Sequence, residues 1–162
     1  MKKVLGLGNA LTDMLLQVSE DDLRELGFPK GSMNLISMEQ AEQIQMRFAS
    51  VRKHMVAGGS ASNAINTIAA LGGKAAFIGK IGNDEVGDFY REDMLKNNVK
   101  PILLTSNKEM SGCSIVLITP DGERTFATYL GAASEMQADD IQKEAFLCYD
   151  IFHIECYLVQ NH

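Results

Sequence analysis

The sequence lacks the patterns that mark metal-binding, disulfide-bonded and membrane proteins. Its three cysteines, Cys113, Cys148 and Cys156, form neither a CxxC pair nor an even set, and the three histidines do not cluster with them. We therefore expect reduced thiols in the core and no metal site. No apolar run approaches the roughly 20 residues that cross a bilayer, and residues 4–16 contain no signal-peptide cleavage site. These absences favour a cytoplasmic protein without a membrane partner.

Basic residues are also scarce. Lys and Arg number 15 against 21 Asp and Glu, and the net charge of −6 is spread along the chain. Binding to duplex nucleic acid needs a basic surface that neutralises phosphates, so the composition argues against a nucleic-acid partner. With 46% hydrophobic and 22% charged residues, the chain has the composition of a globular protein. Its 162 residues suffice for one domain with its own core, and no repeat or linker divides them.

Strand and helix patterns alternate along the chain, which is typical of an α/β sheet with helices on both faces. Strand patterns occur at residues 4–8, 55–57, 75–81, 99–105, 113–119, 125–130 and 151–157. Helix patterns occur at residues 19–26, 37–53, 60–71, 84–95 and 139–147. The buried side of the helix at 84–95 is expected to carry Val86, Phe89, Tyr90 and Leu95. Extended pieces at about 14–18, 30–36 and 102–130 predict a smaller second sheet that packs by one face.

The first motif is GLGNAL at residues 6–11, which begins like a dinucleotide-binding fingerprint. Leu11 stands where the third glycine belongs and the next segment is extended, so NAD binding is excluded. The motif leaves Asn9 and Asp13 near the carboxyl end of a strand. An amide and a carboxylate there are suited to hold vicinal hydroxyls of a ligand. The simpler alternative, which these residues alone favour, is that Asp13 caps a turn.

The second motif is GGSASN at residues 58–63, between a strand and a helix. Two glycines permit a hinge or a close ligand approach, and Ser60 and Asn63 offer polar groups beside free helix N–H groups. A glycine turn with a serine cap is the commoner explanation. The third motif, GKIGNDEVG at residues 79–87, suits either an anion-binding nest or a strand-to-helix connection capped by Asp84.

The order of these motifs resembles that of the PfkB, or ribokinase-like, family of carbohydrate and nucleoside kinases. The family's first signature is matched by Gly58, Gly59, Ala61, Asn63, Gly72 and Gly82, and departs from it at Ile65. Residues 8–13, 79–87 and 121–126 match further family segments in the right order. Residues 8–10 and 123–132 look more like the adenosine kinase branch than ribokinase. The resemblance covers essentially the whole chain.

The resemblance implies a ribokinase-like layered sheet with helices on both faces and a small β-sheet lid. Residues 1–162 would form the N-terminal portion of one such domain, with lid strands from about 14–18, 30–36 and 102–130. Asp13 would hold two sugar hydroxyls and Asn63 would add a hydrogen bond to them. Gly58-Gly59 would be the hinge of the lid, and Gly59 with Ser60 would line the sugar pocket.

Three further contacts follow from the same resemblance. Met33 and the region near Ile115 and Thr128 would cover the base or sugar. Tyr157 would stack near the substrate, although Cys156 replaces the usual glycine beside it. Arg124 would approach the transferred phosphate, and its competing interpretation is a solvated charge beside a β-turn.

Family members transfer phosphate from ATP, with Mg²⁺, to a hydroxymethyl group of a sugar or nucleoside. Their second signature, which supplies the anion hole and the general-base aspartate, does not occur in this sequence. The resemblance therefore implies a chain that carries the acceptor site and lid but no catalytic residue, and that is inactive by itself. A non-catalytic sugar- or nucleoside-binding module is the alternative. Analogy with the family also implies a homodimer formed through the lid.

Overall fold

Two β-sheets and their covering helices make up the described part of the chain, residues 2–159 of a computed structural model. The strands are β1 (Lys3–Leu7), β2 (Leu11–Gln17), β3 (Met33–Leu35), β4 (His54–Gly58), β5 (Lys74–Gly82), β6 (Val99–Ser106), β7 (Gly112–Ile118), β8 (Arg124–Tyr129) and β9 (Ile151–Ile154). The helices are α1 (Glu20–Leu26), α2 (Met38–Arg47), α3 (Ser60–Ala70) and α4 (Glu85–Lys96). Short 3-10 helices follow at Gly131–Glu135, Ala138–Asp140, Lys143–Phe146 and Cys156–Val159.

The first sheet is parallel and has the strand order β6-β5-β1-β9. Its central strands β1 and β5 are mostly apolar and buried, with Lys80 as an interruption in β5, which is typical of strands that are covered on both faces. Helices α3 and α4 pack on one face, around the buried side chains of Phe77 and Tyr90. Residues of the 3-10 segments cover the other face around Leu5 and Ile78. The predicted α/β class, with both faces of the sheet covered, is confirmed.

The second sheet has the strand order β3-β8-β7-β2-β4 and mixes parallel with antiparallel pairs. Its register places Asp13 between Val56 on β4 and Ser114 on β7, and places Thr128 on β8 beside Ser114. One face packs on α1 and α2 around Leu16. The opposite face carries Asp13, Ser114 and Thr128 and encloses a cavity with the end of the first sheet.

Part of one segment that the sequence predicts for the second sheet lies in the first sheet. Residues 102–106 belong to β6 of the first sheet and are not part of the second sheet. Strand β6 follows α4 closely and pairs parallel with β5, which is the normal course of a βαβ unit. In contrast, β4 joins the second sheet as an edge strand antiparallel to β2.

Capping side chains set the starts of three helices, and the cap that the sequence offers at Asp84 is present. Ser19 and Ser37 form capping boxes, and Asp84 Oδ1 accepts the backbone N–H of Gly87 at 2.8 Å. Helix α2 nevertheless ends at Arg47, before the predicted end at Lys53. The chain there leaves the helix in successive turns, in which the N–H of Val51 bonds to the carbonyl of Phe48.

The carboxyl-terminal half of the chain differs from the sequence predictions in two helices. In α4 the side chains that pack inward are Tyr90 and Met94, four residues apart, while Leu95 is 55% exposed. The helix predicted at 139–147 consists of 3-10 helices at Ala138–Asp140 and Lys143–Phe146.

Strand β9 and two cysteines are more exposed than the sequence predicts. A buried strand is expected at 151–157, but β9 ends at Ile154 and its side chains are exposed because it is the edge strand of the described sheet. Only Cys113 is a core thiol, since Cys148 and Cys156 are exposed. Within residues 2–159 no helix combines the length and hydrophobicity of a membrane span.

Candidate functional site

The cavity between the two sheets has a volume of about 480 Å³. Polar side chains from the end of β1, the start of α3 and the second sheet share it with apolar ones. The lining residues are Asn9, Leu11, Asp13, Met33, Leu35, Gly59, Ser60, Asn63, Ser114, Phe126, Thr128, Leu130, Glu155 and Tyr157. This volume is within the range of small-molecule sites. Motifs that are far apart in the sequence therefore meet in one cavity.

Asp13 is the carboxylate on the second-sheet side of the cavity. It lies in the interior of β2, so the alternative in which it caps a turn is wrong. Burial raises the pKa of this carboxyl from 3.8 to about 6, and the positive charge of Arg124 opposes part of that rise. Gly58 leaves the room for this group, because a Cβ at that position would overlap the Asp13 carboxylate. The Asp13 carboxylate is therefore a partly desolvated hydrogen-bond acceptor that packs against Gly58.

The loop between β4 and α3 depends on Gly59. This residue is the N-cap of α3 with φ 94° and ψ 141°, and it has no capping side chain. A Cβ on Gly59 would collide with the carbonyl oxygen of Asn9. The prediction of a serine cap is therefore wrong: Ser60 is the first helical residue, and its hydroxyl donates to Oε2 of Glu155 at 2.6 Å. Gly59 lets the loop and the end of β1 touch.

Glu155 forms the floor of the cavity, and sequence reasoning gave it no role. The lining residues Leu11, Leu35, Ser114, Phe126 and Leu130 were missed as well. Its buried carboxylate accepts hydrogen bonds from the backbone N–H groups of Asn9 at 2.6 Å and Ala61 at 3.1 Å, as well as from Ser60. The position of Gly8 has no room for a side chain, because a Cβ there would lie 2.8 Å from the Glu155 carboxyl carbon. Its only sequence signal is that it is a lone acidic residue inside the buried strand predicted at 151–157.

The two asparagines lie on different sides of this floor. Asn9 is buried, and Asn63 is exposed on the first turn of α3, where its N–H bonds to the Gly59 carbonyl. Both residues line the cavity. Together with Asp13 they supply carboxylate and amide groups around one space, an arrangement that can hold several hydroxyls of one ligand.

The second sheet forms one wall of the cavity, which is partly polar and partly apolar. The hydroxyls of Ser114 and Thr128 bond to each other at 2.8 Å on its cavity face. Met33 is 53% exposed beside them, and Leu35 and Phe126 extend the apolar part of the wall. Ile115 was expected in this region, but it points to the opposite face and is buried against α1 and α2.

Two further predicted residues lie at the margins of the cavity. Tyr157 lines it and is 52% exposed. Arg124 is exposed at the start of β8 and is absent from the lining, although its charge acts on Asp13. The guanidinium therefore contributes to the electrostatic field of the cavity rather than to its wall.

The motif at residues 79–87 has a structural role. Asp84 accepts hydrogen bonds from the N–H of Gly87 and from the N–H and hydroxyl of Ser111, at 2.7 to 2.8 Å. These bonds use both carboxylate oxygens, so the segment is the capped strand-to-helix connection and not an open anion nest. Among the described residues, no three His, Cys, Asp or Glu side chains converge as ligands for a metal ion.

The family of the chain follows from comparison with known proteins. The model of the pfkB family of carbohydrate kinases matches residues 31–161. The chain therefore belongs to this family, as the motif resemblance predicts.

Three similar proteins define the relationship further. The crystal structure of adenosine kinase from Sinorhizobium meliloti superposes with a TM-score of 0.84 and 31% identity, over 98% of this chain and 48% of that one. The probable fructokinase-2 of Arabidopsis thaliana is 31% identical over 99 residues, which are 59% of this chain and 30% of the plant protein. The aminoimidazole riboside kinase of Salmonella typhimurium is 38% identical over 88 residues, which are 52% of this chain and 27% of that protein. The chain thus spans about half the length of the solved structure, and the matched regions are shorter shares of the curated relatives.

Proposed function

We propose that this chain carries the acceptor site of an ATP-dependent kinase that phosphorylates the hydroxymethyl group of a sugar or nucleoside. The observation that carries this proposal is the convergence of Asp13, Asn63 and Ser60 in one cavity, beside the Gly58-Gly59 connection between the two sheets. Family membership and similarity to an adenosine kinase and a fructokinase support it.

In this proposal the polar half of the cavity binds the sugar. Ionised Asp13 accepts hydrogen bonds from two neighbouring hydroxyls, and the side-chain amides of Asn9 and Asn63 add directional contacts. Partial desolvation strengthens these bonds because the local dielectric is low. Glu155 binds no hydroxyl of the sugar in this proposal. It holds the backbone of Asn9 and Ala61 in place instead, through the bonds described above.

The apolar half of the cavity favours a nucleoside over a free sugar. Leu11, Leu35, Phe126, Leu130 and Tyr157 provide apolar and aromatic surface in the cavity that a planar base would cover. Met33 and Leu35 are largely exposed, and a bound base would remove both from water. A monosaccharide would leave this surface uncovered.

The second sheet acts as the lid in this scheme. Residues 1–162 form the N-terminal portion of a ribokinase-like domain, and the lid strands are β2, β3, β4, β7 and β8. Closure about Gly58-Gly59 would exclude water, which competes with the acceptor for the phosphoryl group.

The family segment that supplies the anion hole and the general-base aspartate for phosphoryl transfer has no counterpart in this sequence. We therefore assign ATP binding and proton abstraction to the full-length protein outside this chain and expect the chain alone to be inactive. Arg124 stays a candidate contact of the transferred phosphate because its charge reaches Asp13.

A binding module without catalysis is the second candidate, and the lack of the anion-hole and general-base segment is the observation that favours it. A phosphorylation assay separates the two functions. The full-length protein is incubated with ATP, Mg²⁺ and a panel of nucleosides and sugars, with Asp13→Asn as the test variant and Asp88→Asn on the surface of α4 as the control. We expect phosphorylation of a nucleoside that Asp13→Asn reduces at least a hundredfold and Asp88→Asn leaves unchanged. Tight binding without phosphorylation of any compound would support the module.

Two expectations from the sequence concern the whole protein. We propose a cytoplasmic location and a homodimer that pairs the exposed cavity faces of two second sheets. Sedimentation of the full-length protein with and without acceptor tests the dimer, because a closed lid would cover the same surface.

A further inference from the structure

A pair of buried hydroxyls lies in the cavity wall that the second sheet forms. Ser114 on β7 and Thr128 on β8 are register partners, and their side-chain oxygens are 2.8 Å apart. Both residues line the cavity, although Ser114 is only 4% and Thr128 only 5% exposed. The sugar contacts assigned to Asp13, Asn9 and Asn63 do not involve these two hydroxyls.

The hydrogen bond between the two hydroxyls leaves one proton without a partner. Each hydroxyl carries one donor proton and can also accept hydrogen bonds. Either oxygen can be the donor of the mutual bond, which uses one of the two protons. The described residues give neither hydroxyl a second hydrogen-bond partner. Because buried polar groups are normally paired, a ligand that fills the cavity and excludes water must supply a partner or leave this proton unpaired.

The pair lies in one row with Asp13 across the second sheet. The register places Ser114 beside Asp13 and Thr128 beside Ser114, and it places Leu35 of β3 beside Thr128. Neighbouring strands are about 4.8 Å apart, so Ser114 and Thr128 follow Asp13 at one and two such spacings. A ligand whose sugar hydroxyls bond to Asp13 and whose ring extends toward Leu35 therefore lies over the pair.

The side chains that surround the pair on this wall are apolar. Phe126 and Leu130 lie two residues before and after Thr128, and all three line the cavity. Leu11 has the same position relative to Asp13 on β2. These side chains can cover the face of a planar base, but they cannot form a hydrogen bond with its edge. The hydroxyl pair is thus the polar group that the apolar part of this wall offers to a ligand.

We propose that the Ser114–Thr128 pair selects the base of the acceptor by hydrogen-bonding to an exocyclic amino or carbonyl group on its edge. The inference rests on the proposed function, because it takes the acceptor to be a nucleoside whose sugar binds to Asp13. Both hydroxyls rotate, so the mutual bond can run in either direction. The pair can therefore accept from an amino group or donate to a carbonyl group. A base without either group leaves the buried proton unpaired and binds more weakly.

Binding of three purine ribosides to the full-length protein tests this assignment. Adenosine carries a 6-amino group, inosine carries a 6-oxo group, and unsubstituted purine riboside carries neither. The test variant combines Ser114→Ala with Thr128→Val. It replaces both partners of the mutual bond by apolar groups of similar shape, so its thermal midpoint should be unchanged or higher.

Isothermal titration measures the three affinities. The double variant should bind adenosine and inosine about tenfold more weakly than the wild type does, and should bind unsubstituted purine riboside within about twofold of the wild type. The control is Thr105→Val, which makes the same change of side chain at an exposed position on β6, outside the cavity. We expect it to leave all three affinities unchanged.

The possible outcomes separate this inference from the proposed function. Equal losses for the three ribosides, or no loss for any, would overturn the assignment. A loss confined to adenosine or to inosine would contradict hydrogen bonding in both directions. Phosphorylation of the ribosides with affinities that the double variant leaves unchanged would uphold the kinase function and overturn the inference. The expected selective losses without phosphorylation of any riboside would uphold the inference and reject the kinase function.

Discussion

The carboxylate of Glu155 accepts the backbone N–H of Asn9, 146 residues away in the sequence, at a distance of 2.6 Å. The same carboxylate accepts from the first turn of α3 at Ser60 and Ala61. One buried side chain thus joins the ends of β1 and β9 to the start of α3, and the floor of the cavity depends on it.

Replacement of Glu155 should destabilise the protein as well as the site. In Glu155→Ala two backbone donors and one hydroxyl lose their acceptor, which we expect to cost about 1–3 kcal/mol of unfolding free energy. Urea denaturation of the full-length protein measures the change. The control is Glu144→Ala on an exposed 3-10 turn, for which a change within about 0.5 kcal/mol is expected. Equal midpoints for the two variants would show that the Glu155 bonds add nothing to stability.

The raised pKa of Asp13 predicts a pH-dependent affinity for the acceptor. Hydroxyl donors bind the ionised form, and the pKa in the free protein is about 6. Affinity should therefore fall about tenfold per pH unit below pH 6 and be nearly flat above pH 7. Isothermal titration between pH 5 and 8 measures this, with Asp13→Asn expected to bind weakly and without the slope. A wild-type affinity that is constant down to pH 5 would contradict the role of Asp13.

The raised pKa of Asp13 also affects the stability of the free protein. This stability decreases as the pH rises, whereas the affinity for the acceptor increases. The folded state holds the Asp13 proton more tightly than the unfolded chain, whose carboxyl has a pKa near 3.8. The stabilising contribution is present at low pH and is lost as the pH rises through about 6. Asp13→Asn removes that loss, so it should raise the thermal midpoint at pH 7.5 relative to the wild type. A lower midpoint at pH 7.5 would mean that the ionised carboxylate is well satisfied.

Gly59 and Gly72 both have a positive φ, and comparing them tests the contact between Gly59 and the Asn9 carbonyl. Gly72 has φ 86° with open space around it, and Gly59 has φ 94° against the Asn9 carbonyl. Gly72→Ala should cost about 1 kcal/mol because of the positive φ alone. Gly59→Ala should cost at least about 3 kcal/mol, because the added Cβ also displaces the end of β1. Denaturant midpoints of the two variants measure the difference, and similar values would rule out the Asn9 contact.

Leu35 distinguishes a nucleoside from a free sugar. Its side chain is 66% exposed in the cavity, so Leu35→Ala should leave stability nearly unchanged. We expect nucleoside affinity to fall about tenfold, since roughly 1–2 kcal/mol of apolar contact with the base is lost. Leu71→Ala, at an 83% exposed leucine outside the cavity, is the control. A parallel loss in the binding of ribose or fructose would place the sugar, rather than a base, against Leu35.

The sequence predicts those parts of the fold that local chemistry determines. Ser19, Ser37 and Asp84 mark helix starts through their caps, and the glycines at 58–59 mark the loop between β4 and α3. The sequence does not predict which sheet each strand joins, because long-range packing and not the strand's own residues determines the partner of a strand such as β6. For the candidate site, Asp13 and Asn63 are visible as motif residues. Glu155 is not, because a lone glutamate becomes informative only when its three distant donors are brought together.

The pairing of β1 with both β5 and β9 has a consequence for synthesis of the chain. Val4 lies beside Ala75 on one side and beside Ile151 on the other. At ribosomal elongation rates the second neighbour emerges on the order of ten seconds after the first strand. During that interval one edge of β1 is open to pairing with other chains, so nascent protein should aggregate more readily than the completed sheet.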